Sequence, residues 1–183
     1  MTGSELVVRA RAGDIGAYEA LMSTRIDHMN RIGQLVLRDH DVAEDAVQEA
    51  LVSCWRDLPG LRNPERFDAW LNRILIRAIH REARRSRRAA ASMAVLRIEP
   101  SQPDGTRAIA DQDEIARAFD RLSVAHRTIV VMRHYLDLTV EECAALIGIP
   151  VGTAKSRLHY ATEALRAALE ADARAGETRR AFA

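Results

Sequence analysis

Apolar residues recur along this 183-residue chain at intervals of three and four, the spacing of an amphipathic α-helix. The sequence contains no convincing strand with alternating apolar and polar residues, and no short internal repeat. Because 48% of the residues are apolar and 29% are charged, the chain can bury a hydrophobic core and remain soluble. These patterns predict an all-α protein.

The helical pattern lapses between Ala89 and Asp113, in AAASMAVLRIEPSQPDGTRAIADQD, which holds two of the five prolines and a PDG turn signal. We therefore predict two small helical domains, over residues 1–88 and 114–171, joined by a flexible linker over residues 89–113. The polar segment 172–183 is predicted to be a fraying tail.

Several classes of protein are disfavoured by composition. The chain has no run of about 18 apolar residues, and its N-terminus is too charged for a signal peptide, so we expect a cytoplasmic protein without membrane insertion. Cys54 and Cys143 lie on the apolar sides of predicted helices and have no metal-ligand spacing. We expect no metal and no cofactor.

The segment DHDVAEDAVQEALVSCWRDLPG predicts an acidic helix. Asp41 is the expected N-cap, with Glu44 completing a capping box. Residues 38–57 contain two arginines and six acidic residues, a net charge of −4. The helical phase places five polar residues on one exposed side: Asp41, Glu44, Asp45, Gln48 and Glu49. This pattern fits a solvated face or a docking surface for a basic protein, whereas a catalytic or metal site is disfavoured because these carboxylates enclose no pocket.

The segment NPERFDAWLNRILIRAIHREARRSRR predicts a basic helix with Asn63 as N-cap and Pro64 in the first turn. Residues 63–88 contain eight arginines and three acidic residues, a net charge of +5. One side is expected to bury Phe67, Leu71, Ile74 and Ala78, and the other to expose Arg66, Arg73, Arg77, His80, Arg84 and Arg88. Like charges at this spacing are unfavourable unless they are neutralised, so the stripe predicts contact with nucleic-acid phosphates.

The segment LTVEECAALIGIPVGTAKSRLHYATEALRAAL predicts a helix-turn-helix. Thr139 and Glu142 form a capping box, and Gly148 ends the first helix. The second helix is expected to bury Ala154, Leu158, Ala161, Leu165 and Ala168, and to expose Lys155, Ser156, His159 and Thr162. Lys155 is the only lysine of the chain, and it stands where either a base edge or a phosphate is within reach. Two packed helices with a polar outer face are the alternative.

In this order, the acidic helix, the arginine helix and the helix-turn-helix resemble the extracytoplasmic-function (ECF) group of bacterial RNA polymerase sigma factors. ARAGDIGAYEALM is similar to the opening helix of that family, DHDVAEDAVQEALVSCW to its polymerase-docking segment, and FDAWLNRILI to the start of its promoter-melting helix. The segment LSVAHRTIVVMRHYLDLTVEECAALIGIPVGTAKSRLHYATEALR is similar to its minus-thirty-five-binding domain.

The resemblance implies an initiation factor with no enzymatic activity of its own. Core RNA polymerase would bind Asp41, Glu44, Asp45, Gln48 and Glu49 through the clamp helices of its largest subunit. The minus-ten element of promoter DNA would contact Arg73, Arg77, His80, Arg81, Arg84 and Arg88. The minus-thirty-five element would contact Thr153, Lys155, Ser156, Arg157 and His159. The linker would run through the polymerase near the RNA exit path, and an anti-sigma factor would occlude these faces.

Two features depart from the family pattern. Family members commonly have Asn where Arg77 stands and often Asp where Arg81 stands, so cations replace polar groups that bind bases. Tyr160 occupies a place often taken by arginine, which predicts a weaker salt dependence there.

Two other functions fit the sequence less well. A stand-alone dimeric helix-turn-helix regulator explains residues 123–168, yet it leaves the acidic helix and the arginine stripe without a purpose. An enzyme acting on nucleic acid is disfavoured because the sequence has no phosphate-binding glycine loop, no metal-ligand set among its six histidines and no nucleophile–base pair.

Overall fold

The computed structural model describes the backbone of residues 2–96 and 116–181, and side chains as far as residues 92 and 171 in these two ranges. Every regular element in the two ranges is helical, which confirms the all-α prediction. The chain divides into two compact units, Met1–Ala90 and Ala91–Ala183. Within the described residues, no helix is both long enough and apolar enough to cross a membrane.

The first unit is built from five helices, with α5 continuing beyond its boundary. They are α1 (Gly3–Arg11), α2 (Ile15–Ser23), α3 (Ile26–Leu37), α4 (His40–Asp57) and α5 (Phe67–Leu96). Two 3₁₀ turns, Leu58–Gly60 and Pro64–Arg66, connect α4 to α5. Helix α1 packs against α2, and α3 packs against α4. At the second of these contacts Gly33 permits a close approach, because a Cβ there would lie 3.3 Å from the Cβ of Ala43, a tight contact.

Side-chain caps fix where these helices begin. The Asp14 carboxylate accepts a hydrogen bond from the backbone N–H of Ala17 at 2.9 Å and starts α2, and Asn63 caps the 3₁₀ turn before α5 in the same way, as predicted. The predicted cap at Asp41 is wrong. Arg38 adopts a left-handed conformation with φ 60° at the end of α3, so the chain enters α4 at once and Asp39 becomes its N-cap.

The core of the first unit consists of large aliphatic side chains from several helices. Those with less than 2% of their surface exposed include Leu21, Met29, Ile32, Leu58, Leu75, Ile76 and Ile79. Burial of each such side chain contributes about 1.5–3 kcal/mol. The predicted inner side of α5 is confirmed, since Phe67, Leu71, Ile74 and Ala78 are all buried. Helix α5 therefore has one orientation about its axis, and that orientation decides which residues face solvent.

The second unit contains α6, described over residues 116–120, α7 (Val124–His134), α8 (Val140–Ile147) and α9 (Val151–Ala181). Helix α9 packs against both α7 and α8. The predicted capping box of Thr139 and Glu142 is present at the start of α8. Gly148 ends that helix with φ 72°, a conformation that only glycine adopts at low cost. The turn then leads within three residues into α9, so the predicted helix-turn-helix is observed.

The predicted linker over residues 89–113 and the predicted tail over residues 172–183 both start with residues that continue the preceding helix. Helix α5 continues through Leu96, although the linker was predicted from Ala89, and α9 continues through Ala181, although a tail was predicted from residue 172. Alanine-rich sequence explains the extension of α5, because alanine favours the helix even where no amphipathic stripe is present. The rest of the predicted linker, residues 97–113, lies outside the described residues.

Candidate polymerase and nucleic-acid interfaces

Helix α4 presents a continuous acidic surface, formed by Asp41, Glu44, Asp45, Gln48 and Glu49. The first four are exposed, because α4 turns the opposite side, with Ala43, Ala46, Val47, Ala50 and Cys54, into the core. His40 Nδ1 lies 3.4 Å from Glu44 Oε1, one turn along the helix. A surface of this charge is complementary to a basic partner.

Glu49 differs from the other members of the acidic surface because it faces α5. Its side chain is 33% exposed, and its Oε1 atom lies 2.7 Å from Nε of Arg81. Its Oε2 atom is shielded from solvent. One residue predicted to bind polymerase is thus paired with one predicted to bind DNA.

Helix α5 exposes a cationic stripe, formed by Arg73, Arg77, Arg81, Arg84 and Arg88. Arg73, Arg77 and Arg84 form no ion pair with the described residues, so their guanidinium groups are available for an anionic ligand. His80, predicted to share this side, is half-buried with its Nε2 atom shielded from solvent. Arginine guanidinium groups without carboxylate partners are suited to bidentate contact with phosphate.

Glu82 is a buried acid that the sequence analysis missed. Only 4% of its surface is exposed, and its Oε1 atom accepts a hydrogen bond from Arg85 Nη1 at 2.8 Å. Burial raises the pKa of Glu82, Arg85 lowers it by a smaller amount, and the nearby carboxylates of Glu49 and Asp45 raise it further. A signal was present in the sequence, because Glu82 follows Ala78 by four residues on the inner side of α5.

The first turns of α9 expose the predicted recognition residues. Thr153, Lys155, Ser156 and His159 are exposed and Arg157 is half-buried, while Ala154, Ala161 and Ala168 face the core. Leu158 and Leu165, predicted to be buried, are half-buried. Lys155 Nζ lies 3.6 Å from Glu141 Oε1 of α8, so this exposed ion pair connects the two helices of the motif. Such a pair contributes little stability and leaves the ammonium group accessible.

The two cysteines are free and buried, as predicted. Burial raises the pKa of the Cys54 thiol to about 11, which leaves little thiolate at neutral pH. Within the described residues, no group of three metal-ligating side chains is assembled.

Two family models match the chain in the order of its two units. The model of sigma-70 region 2 matches residues 17–89, which include the acidic surface and the cationic stripe. The model of sigma-70 region 4 matches residues 112–165, which include the helix-turn-helix. The chain belongs to the ECF group of RNA polymerase sigma factors. A stand-alone helix-turn-helix regulator does not account for the region 2 match.

The alignments with curated relatives cover nearly the whole of both chains. The RNA polymerase sigma-E factor of Streptomyces avermitilis is 32% identical over 168 residues, which cover 90% of this chain and 93% of that relative. The ECF RNA polymerase sigma factor SigL of Mycobacterium tuberculosis is 34% identical over 167 residues, covering 87% of this chain and 94% of that relative.

Two solved structures share the fold. CnrH, in complex with the cytosolic domain of CnrY, superposes with a TM-score of 0.64 at 23% identity, over 92% of this chain and 97% of that chain. The sigma factor RpoE of Bartonella quintana, in complex with the anti-sigma factor NepR, gives a TM-score of 0.67 at 23% identity, over 85% and 98% of the two chains.

We predict that Glu82→Gln increases the free energy of unfolding at neutral pH. Because the folded-state pKa of Glu82 is raised, its contribution to stability is fully present below the ordinary glutamate pKa and is lost as the pH rises through the raised value. A neutral glutamine avoids that loss, so the gain should disappear as the pH falls below the ordinary glutamate pKa. Urea unfolding at a series of pH values measures it.

Glu19→Gln, which changes an exposed acid on α2, is the control and should alter stability by less than about 0.5 kcal/mol. A loss of stability in Glu82→Gln at neutral pH would contradict the prediction, since it would mean that the Glu82–Arg85 pair stabilises the fold in its charged form.

Proposed function

We propose that this sigma factor divides polymerase binding and promoter recognition among three surfaces, and that it acts in the cytoplasm and leaves RNA synthesis to the polymerase. The observation that carries the proposal is the opposite charge of two helices that meet at the Glu49–Arg81 pair: α4 exposes carboxylates, and α5 exposes Arg73, Arg77 and Arg84, which form no ion pair with the described residues. One helix suits a basic protein and the other an anionic ligand. The proposed functional domains cover residues 1–88 and 114–171, and the linker between them passes through the polymerase.

The acidic surface is proposed to dock on the clamp helices of the largest polymerase subunit. Asp41, Glu44, Asp45 and Gln48 are exposed along α4, so a basic helix can lie against them without rearrangement of the core. Glu49 joins them at the edge nearest α5. Complementary charges guide the encounter and fix the register of the two partners.

The cationic stripe is proposed to bind the minus-ten element as its strands separate. Arg73, Arg77 and Arg84 supply cations for the phosphates, with Arg81, Arg88 and His80 alongside them. Trp70 is half-buried at the edge of the stripe and lies 5.9 Å from Phe67 between ring centroids, where it offers an aromatic surface for an unstacked base.

The start of α9 is proposed to enter the major groove of the minus-thirty-five element, with Thr153, Lys155, Ser156, Arg157 and His159 at the interface. Ser156 Oγ donates a hydrogen bond to the Thr153 carbonyl at 3.1 Å in the free chain, and the hydroxyl can rotate toward a base or phosphate. An anti-sigma factor is the proposed inhibitor of these surfaces; the neighbouring solved structure of RpoE, in complex with the anti-sigma factor NepR, supports that proposal.

Replacement of Asp45 and Gln48 by alanine should weaken binding to core polymerase at least about tenfold, because exposed polar contacts to a basic partner are lost. Fluorescence titration of labelled protein with cognate core polymerase measures the change. Binding of the full chain to a minus-thirty-five duplex should be unaltered. Glu19→Ala removes an exposed acid from α2 and is the control. Equal loss of both activities in the double variant would refute the division of labour.

Lys155→Ala should reduce affinity for the minus-thirty-five duplex by about 1–3 kcal/mol and relax the sequence preference at one position, as expected for a contact with a base edge. Competition binding with single-base variants of the duplex measures both effects. Arg166→Ala, three turns further along α9, is the control. A uniform loss on all sequences, with a salt slope lower by about 1, would instead identify a phosphate contact.

A further inference from the structure

The acidic surface and the cationic stripe meet at the ion pair of Glu49 and Arg81. Glu49 of α4 and Arg81 of α5 lie 2.7 Å apart, with side chains 33% and 50% exposed. Arg77, four residues earlier on α5, forms no ion pair with the described residues. The positive charge of Arg81 is therefore partly neutralised in the free chain, whereas that of Arg77 is not.

Release of Arg81 from Glu49 has an electrostatic cost. Buried Glu82 directly follows Arg81 on α5, and Asp45 lies one turn before Glu49 on α4. The carboxylates of Glu49 and Asp45 both raise the pKa of Glu82. Arg85 offsets part of this negative charge through its hydrogen bond to Glu82. If Arg81 moves away, the Glu49 carboxylate is left near the carboxylates of Glu82 and Asp45 without a cation. Its Oε2 atom is already shielded from water, so solvent cannot compensate fully. A second cation at Glu49 would remove that cost.

We propose that the Glu49–Arg81 pair couples the two binding surfaces of this sigma factor: a cation of the polymerase takes over Glu49, and Arg81 is thereby released to a DNA phosphate. The proposal rests on the proposed function. Because coupling between two binding events is reciprocal, DNA that takes Arg81 also exposes Glu49 to the polymerase. In the free chain, Arg81 is paired with Glu49 and is not available to nucleic acid. In the polymerase-bound chain, Arg81 can bind a DNA phosphate.

The first experiment measures binding of the full chain to cognate core polymerase. Arg81→Gln should tighten binding about two- to fivefold, the size of a surface ion pair, because Glu49 no longer has an internal partner. Arg62→Gln removes the same charge from an exposed residue before α5 that belongs to neither surface, and it is the control, with no change expected. In a Glu49→Gln background, Arg81→Gln should have no effect on the affinity.

The second experiment measures binding of the free full chain to mixed-sequence single-stranded DNA at several salt concentrations. Glu49→Gln should bind about two- to fivefold more tightly than the wild type, with a steeper salt dependence, because Arg81 becomes available to a phosphate. Glu44→Gln removes the same charge from the exposed part of the acidic surface and is the matched control.

Two results would overturn the coupling. One is tighter polymerase binding by Arg81→Gln that persists in the Glu49→Gln background, which would reflect net charge alone. The other is DNA binding by Glu49→Gln no tighter than by Glu44→Gln. Failure of the proposed function is distinguishable, because the wild-type chain would then not bind core polymerase at all.

Discussion

The inner side of α5 is the constraint on which both N-terminal surfaces depend. Burial of Phe67, Leu71, Ile74, Leu75, Ile76, Ala78 and Ile79 fixes the rotation of that helix about its axis. With this rotation fixed, Arg73, Arg77 and Arg84 face solvent in one line, and Arg81 is brought against α4. A polar substitution on the inner side would thus disturb the core and the direction of the arginines together. Apolar packing here therefore positions charged groups that face solvent.

In the second unit, the exposed residues of α9 are positioned by the packing of smaller side chains on the inward side of that helix. Ala154, Ala161 and Ala168 let α9 approach α7 and α8, and the left-handed conformation of Gly148 sets the turn between α8 and α9. Because the inward side of α9 is packed, the rotation of the helix is fixed and Lys155 and Ser156 lie on its exposed side. The match to the sigma-70 region 4 model is consistent with this packing. The matched residues end at 165, within the part of α9 that packs on α7 and α8.

Periodicity and caps were sufficient to predict α4, α5, α8 and α9 and most of their inner sides, because both are local properties of sequence. The capping box at Thr139 and the glycine at 148 were found in this way. Periodicity and caps did not predict the break at residues 12–14, which divides ARAGDIGAYEALM between α1 and α2. Asp39 and Asp41 could not be distinguished as caps, since both are good N-cap residues and the choice depends on where α3 ends. The length of α5 was underestimated because alanine continues a helix without leaving an amphipathic pattern. The Glu49–Arg81 pair required knowledge of how α4 and α5 meet, and the roles of individual site residues remain predictions.

The proposed function is tested most directly by transcription with purified cognate core polymerase and a library of random promoter templates. It predicts that addition of this chain yields transcripts from a subset of templates that share two short sequence elements at a fixed separation. The absence of any promoter-specific transcript, together with polymerase-independent binding of a dimer to an inverted repeat, would contradict it.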